Sequence, residues 1–289
     1  MNSKGSRWLP VDQETGLQRP IGIFDSGIGG LSVLKALRTE LPNEYFIYIA
    51  DSGHAPYGER DDAHVVERSL KITTYLVKQN VKTLAMACNT ATAAGTDLLR
   101  ATYPNLPIVG IEPALKPAVA ISQTKHIAVM ATRSTLASAR FAALLSAQSS
   151  QASFVLLPCD GLAKAIERAL QNPDASKIIA ACASILRAAG IFDGQKELFL
   201  TSKPVDTLVL GCTHYTFAAE HITTLLGPGV TLLDTGTAVA LQTRRVLGGN
   251  LSNQPMQQIR WFSTGQTDLL DAAALAWLGL QANSEPLHI

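Results

Sequence analysis

Two of the four cysteines stand where a thiol can move protons. Cys88 lies in ACNTATAAG (87–95), after an apolar run and before a helical pattern. At such a junction the free N–H groups and the positive end of the helix dipole favour thiolate over thiol. Asn89 and Thr90 add donors suited to holding a carboxylate beside it. Cys212 lies in LVLGCTHYT (208–216), again after an apolar run, with Gly211 permitting close backbone approach and His214 two residues on. An imidazole titrates near neutral pH, so it can polarise a thiol or share its proton. Each cysteine alone reads equally as a small buried apolar side chain, and His214 alone as a structural histidine. The two motifs in one chain shift the reading toward chemistry. Neither a Cys-x-His spacing nor the absence of any CxxC favours structural zinc, and no metal is expected.

Further motifs surround this pair. FDSGIGGLSVL (24–34) ends an apolar run with Asp25 and Ser26 and passes through Gly27, Gly29 and Gly30 into a helical pattern. Neither the Walker pattern nor G-x-G-x-x-G is completed, so the segment reads as a tight turn exposing N–H groups, with Asp25 a partner for an ammonium or a protonated base. In ADSGHAPYGER (50–60), Tyr57 and Gly58 offer a hydroxyl and a backbone N–H to a polar ligand, while His54 reads as solvated. Cys182 has apolar neighbours at helical spacing and reads as core. Cys159, Asp160 and Glu167 flank a helix start, where most acids serve only the dipole or solvent.

The elements that must position these residues are legible. Short apolar runs at 20–25, 45–50, 81–87, 107–111, 126–131, 153–158, 206–211 and 230–234 alternate with amphipathic segments, which predicts an α/β fold with mainly parallel sheets. Ligands of such sheets collect at the carboxyl ends of strands, where both cysteines fall. VKTLAMACNT (81–90) and VDTLVLGCTH (205–214) also echo one another, each a strand ending at a cysteine. Two lobes facing each other would bring the two thiols to one cleft.

The 289 residues suit two domains of moderate size. An apolar fraction of 47% against 16% charged residues describes an ordered, well-buried chain. Net charge is +1 with lysines and arginines scattered, which excludes nucleic acid as a primary ligand. Residues 1–19 read as a flexible extension without a signal-peptide core, and no run is apolar enough to span a bilayer, so a cytoplasmic, soluble enzyme with reduced thiols is expected. A homodimer is the default assembly.

Taken in order, I-F-D-S-G-x-G-G-L, A-x-x-x-x-P-Y-G, A-C-N-T-A, G-I-E-P-A-x-K-P-A, G-C-T-H-Y and L-x-D-T-G make a highly specific set. From about Ile21 to near Asp268 the chain resembles the bacterial glutamate racemases of the cofactor-independent amino-acid racemases. The resemblance implies two pseudo-symmetric α/β lobes, residues 20–113 with 221–289 forming the first and 114–220 the second, with the active site between them. It implies interconversion of L- and D-glutamate without a cofactor, supplying D-glutamate for peptidoglycan. Cys88 and Cys212 would be the acid/base residues, assisted by Asp25 and His214 respectively. Asp25, Ser26, Tyr57, Gly58, Asn89, Thr90, Thr213 and His214 would line the substrate. A family glutamate falls on Glu167 by counting, but within Lys-Ala-Ile-Glu rather than the usual Pro-Leu-Val-Glu. The sequence reveals no lysine and phosphate-site pair for pyridoxal phosphate. Two readings stand beside this one: a racemase of aspartate or another small acid, and a non-enzymatic two-lobed binder of acidic amino acids.

Overall fold

Apolar runs too short for helices form strands, and where both faces of a parallel sheet are covered by helices those runs need no polar alternation. The structure, a computed structural model, describes residues 19–171, 174–191, 204–252 and 258–289. Apart from Arg19, the expected N-terminal extension lies outside the described residues. The strands are β1 (Ile21–Asp25), β2 (Phe46–Ala50), β3 (Thr83–Met86), β4 (Ile108–Gly110), β5 (His126–Ala131), β6 (Ser153–Pro158), β7 (Thr207–Gly211), β8 (Thr231–Leu233), β9 (Ile259–Ser263) and β10 (Glu285–Pro286). The helices are α1 (Leu31–Glu40), α2 (Asp62–Lys78), α3 (Asn89–Thr102), α4 (Leu115–Ile121), α5 (Arg133–Ala137), α6 (Ala139–Ser146), α7 (Leu162–Gln171), α8 (Ser176–Ala188), α9 (Ala219–Leu226), α10 (Gly236–Leu247) and α11 (Thr267–Leu278).

Two sheets result, one ordered β10-β9-β2-β1-β3-β4 and the other β6-β5-β7-β8, with every ladder parallel. The expected α/β class with two mainly parallel sheets is borne out. Strands β2-β1-β3-β4 and β6-β5-β7-β8 repeat one order, so β3 and β7, which carry the two cysteines, hold equivalent places. Register agrees with this: Phe24 pairs with Met86 at the end of β3, and Ala131 with Gly211 at the end of β7.

The expected return to the first lobe at residue 221 needs correction. Strand β8 pairs with β7 in the four-stranded sheet, and Ile222 and Leu226 of α9 bury in that sheet's core. The chain recrosses only between Leu233 and Gly236, after which Val239, Ala240 and Leu247 of α10 pack with Leu31, Leu34 and Leu37 of α1. Strand pairing, which sequence spacing does not specify, decides this boundary. On the other face of the larger sheet, Phe24, Ile49, Leu84 and Met86 pack with Ile72 and Leu76 of α2 and Leu99 of α3. Burial of this kind is worth roughly 1.5–3 kcal/mol per large apolar side chain, and it holds the strand ends rigid. No helix among the described residues is long and apolar enough to cross a membrane.

Candidate active site

At the carboxyl ends of β1, β3 and β7 the two sheets enclose a cavity of about 190 Å³. All ten expected site residues, Asp25, Ser26, Tyr57, Gly58, Cys88, Asn89, Thr90, Cys212, Thr213 and His214, line it. Cys159, Thr132, Lys164 and Glu167 line it as well.

Cys88 is the N-cap of α3, its sulfur accepting the Ala91 N–H at 3.4 Å. The helix end alone favours thiolate, yet burial pushes the Cys88 thiol up, and the nearby Asp25 charge adds to that. Desolvation therefore outweighs the helix terminus in the unliganded cavity, contrary to the expectation from the helix dipole alone. The thiol donates to Ser26 Oγ at 3.7 Å, and Ser26 Oγ donates in turn to Asp25 Oδ1 at 3.4 Å. Asp25 is fully buried. It accepts the Ser26 and Gly30 backbone N–H groups at 2.8 and 2.6 Å. Burial raises its pKa, partly offset by the His214 charge and by those N–H groups.

Cys212 has different surroundings. The segment after it is a 3-10 turn, Thr213–Ala218, and α9 begins only at Ala219, so the two thiol settings match at the strand and diverge beyond it. His214 Nδ1 sits 3.9 Å from Cys212 Sγ, and Nε2 sits 2.8 Å from Glu167 Oε1. Burial by itself lowers the His214 pKa, but the Cys212 sulfur and the Glu167 carboxylate together hold it well above 6.5. Both ring nitrogens of the resulting imidazolium donate, one to each partner. Glu167, the weakest of the carried-over residues, is thus placed directly behind His214.

The glycine turn expected to expose N–H groups has a further role. A Cβ on Gly29 would lie 2.3 Å from His214 Nδ1, and one on Gly27 would lie 2.6 Å from Glu167 Oε1. Only bare backbone lets the turn of one lobe approach the His214–Glu167 pair of the other. Nothing in the sequence pattern signals these contacts, because Gly29 and His214 lie 185 positions apart and Gly27 and Glu167 lie 140 apart.

Asn89 is buried, and both its amide atoms lack a hydrogen-bond partner among the described residues. A buried amide left unpaired costs free energy, so Asn89 has a donor and an acceptor to offer a group that enters the cavity. Thr90 Oγ1 lies 3.0 Å from Thr132 Oγ1, linking α3 to the turn before α5. Tyr57 faces the cavity, but its hydroxyl donates to Asp51 Oδ2 at 2.5 Å, and Asp51 is clamped by Arg68 at 2.9 and 3.0 Å. The hydroxyl proton expected for the ligand is therefore committed to Asp51.

Cys159 donates to the Leu157 carbonyl at 3.2 Å, and burial pushes its thiol up. Cys182 is fully buried in α8, with burial raising its thiol to about 11. Thr132 and Lys164 carried no pattern that sequence reading could separate from ordinary surface residues. His54 is half-buried, its ring 5.8 Å from that of His64, rather than solvated. No group of three or more His, Cys, Asp or Glu among the described residues is placed to hold a metal ion.

A cavity with a buried thiol from each sheet, one beside a carboxylate and one beside an imidazolium, holds groups able to give and take protons. Residues 29–194 match the Asp/Glu/hydantoin racemase family. The chain belongs to that family, and it is an amino-acid racemase and hence an isomerase. Its relatives there are glutamate racemases. That of Ectopseudomonas mendocina is 45% identical over 268 residues, covering 92% of this chain and 97% of the relative. That of Cupriavidus pinatubonensis is 40% identical, covering 93% and 95%. Among solved structures, the Escherichia coli glutamate racemase in complex with L-glutamate and the activator UDP-MurNAc-Ala is 29% identical with a TM-score of 0.79, covering 92% and 97%. A glutamate racemase isoform from Bacillus anthracis is 28% identical with a TM-score of 0.79, covering 94% and 98%.

Proposed function

We propose that this protein interconverts L- and D-glutamate in the cytoplasm by passing protons between the substrate α-carbon and two thiols, Cys88 and Cys212, supplying D-glutamate for peptidoglycan without a cofactor. The observation that carries the reading is the placement of Cys88 and Cys212 at equivalent strand ends of two sheets that share one cavity. Racemisation removes the α-hydrogen from one face and returns a proton to the other, so a base on each face avoids moving one base across the substrate.

In this mechanism one thiol begins as thiolate and the other as thiol, and the roles exchange with direction. In one direction Cys212, beside the His214 imidazolium, is the base and Cys88, beside Asp25, the acid; in the other direction the two exchange roles. The substrate ammonium pairs with Asp25. The α-carboxylate sits between Asn89, Thr90 and Thr213, where the charge of the developing carbanion is shared with donors already in place.

The test is incubation of the purified protein with L-glutamate in heavy water. Inversion with deuterium at the α-carbon is expected, and Cys88→Ser and Cys212→Ser should each lower turnover by at least about a thousandfold with an unchanged circular dichroism spectrum. Binding without α-deuterium would favour the two-lobed binder, and near-normal turnover in either serine variant would sink the two-thiol mechanism.

A further inference from the structure

We propose that Ser134 is a positioning residue for the reaction: from one lobe it holds the Gly58 carbonyl of the other, and so fixes the loop after β2 that presents hydrogen-bonding groups to the substrate. The inference rests on the glutamate racemisation reading for what enters the cavity.

The loop after β2 lines the cavity with groups that have hydrogen bonds to give. Ser52 Oγ is buried there and has no hydrogen-bond partner among the described residues. The N–H groups of Tyr57 and Gly58 open the 3-10 turn Tyr57–Glu59 and therefore have no acceptor within it. Such groups bind well only when their backbone is already in place, because ordering a loop on binding costs conformational entropy. On its inner side the loop is anchored by the Tyr57 hydroxyl on Asp51, which Thr264 and Arg68 hold in turn. That anchor acts through a side chain and does not itself set the tilt of the peptide after Gly58.

This restraint comes from Ser134. It lies in α5, which follows β5 of the four-stranded sheet, whereas Gly58 follows β2 of the six-stranded sheet. Its hydroxyl donates to the Gly58 carbonyl at 2.7 Å, and among the described residues no other hydrogen bond joins the loop to the four-stranded lobe. A peptide unit is planar, so holding the Gly58 oxygen also holds the Glu59 N–H. That N–H closes the turn on the Pro56 carbonyl at 3.3 Å. The serine is itself set in place, because Thr132 caps α5, accepting the Thr135 N–H at 3.2 Å, and its Oγ1 lies 3.0 Å from Thr90 Oγ1. Thr132 also closes on the glycine: a Cβ on Gly58 would lie 2.8 Å from Thr132 Cβ. Thr132 lines the cavity and Ser134 does not, so the serine reaches a substrate only through Gly58.

The experiment compares the whole protein with Ser134→Ala, Ser134→Thr and Arg140→Met, measuring racemisation of glutamate and hydrogen exchange of the backbone amides. In Ser134→Ala, KM is expected to rise about three- to tenfold, the span of one neutral hydrogen bond, with kcat within about twofold of the parent. The amides of Glu59 and Arg60, which close the turn, should exchange faster while those of α3 do not. Ser134→Thr keeps the hydroxyl and should return KM to within about twofold of the parent. Arg140→Met removes the ion pairs to Glu112 and Asp97, which join the same two lobes away from this loop, and should leave KM unchanged. An unchanged KM in Ser134→Ala overturns the inference. So does a fall in kcat at constant KM, which would assign the serine to placing the thiols. It is overturned as well if Arg140→Met raises KM as much as Ser134→Ala, because general stapling of the lobes then explains the effect, or if Ser134→Thr is as impaired as Ser134→Ala. Deuterium exchange at the α-carbon by the parent protein judges the racemisation reading separately, because exchange with an unaltered KM in Ser134→Ala defeats only this inference.

Discussion

Asp25 and His214 surround two chemically identical thiols with opposite charge. Cys88 is raised by burial and by the Asp25 carboxylate, and Cys212 faces an imidazolium at 3.9 Å. The pH behaviour follows from the second setting. The His214 pKa is raised above 6.5, so its contribution is complete below that value and is lost as pH rises through the raised pKa. The Glu167 pKa is lowered despite its burial, because His214 binds it, so its contribution is present above 4.5 and is lost only as pH falls through the lowered pKa. The pair therefore persists through neutral pH and closes down on the alkaline side. Glu167→Gln removes the carboxylate that keeps His214 protonated. Its alkaline limb of kcat/KM should move down by about one pH unit or more, read from a rate profile between pH 6 and 10. A limb that stays in place would detach His214 from proton transfer at Cys212.

At the scale of elements, the turn between β1 and α1 decides whether the site assembles. Gly29 passes so close to His214 that a methyl group there would displace the ring. Misplacing a catalytic group by about 1 Å can cost on the order of a hundredfold in rate. Gly29→Ala is accordingly expected to lower kcat about a hundredfold, with a stability loss of roughly 1–3 kcal/mol and α/β circular dichroism retained. Wild-type kcat in that variant would show that the turn tolerates displacement of His214. The eight apolar runs of the sequence all correspond to strands, and β9 and β10 have no counterpart among those runs. Strand β9 mixes Arg260 with Trp261 and Phe262, and β10 is only two residues long, Glu285–Pro286. Neither shows an apolar run, because edge and near-edge strands bury less of each face. Pairing to β2 makes β9 a strand, with Phe262 opposite Ile49.

For the whole molecule, two sheets with a shared strand order face each other across one cavity. They meet through apolar as well as polar contacts: the Phe217 ring stacks on that of Trp277 in α11 with centroids 3.5 Å apart, Ser32 Oγ donates to the Thr213 carbonyl at 3.3 Å, Ser134 Oγ to the Gly58 carbonyl at 2.7 Å, and Arg140 pairs with Glu112 and Asp97. A ligand touching both sides adds contacts across this junction and stabilises the joined state. Glutamate at about a hundredfold over its dissociation constant should add about 2.7 kcal/mol to unfolding stability, measured by calorimetry. No stabilisation at that saturation would argue against a ligand held by both sheets.

Residue types and periodicity by themselves determined the α/β class and the strand ends on which Cys88 and Cys212 stand, and the resemblance carried by the ordered motifs named ten of the residues that line the cavity. These are local properties: apolar runs need burial, and a polar motif after a run must lie at the sheet's edge. Tertiary structure alone decided the rest. It placed Glu167 behind His214, committed the Tyr57 hydroxyl to Asp51, moved the chain's return from 221 to beyond Leu233, and raised rather than lowered the Cys88 thiol. Each depends on which distant groups approach and on how much water they exclude. Spacing along a chain carries neither quantity, and it was desolvation by those distant groups that overrode the helix terminus at Cys88.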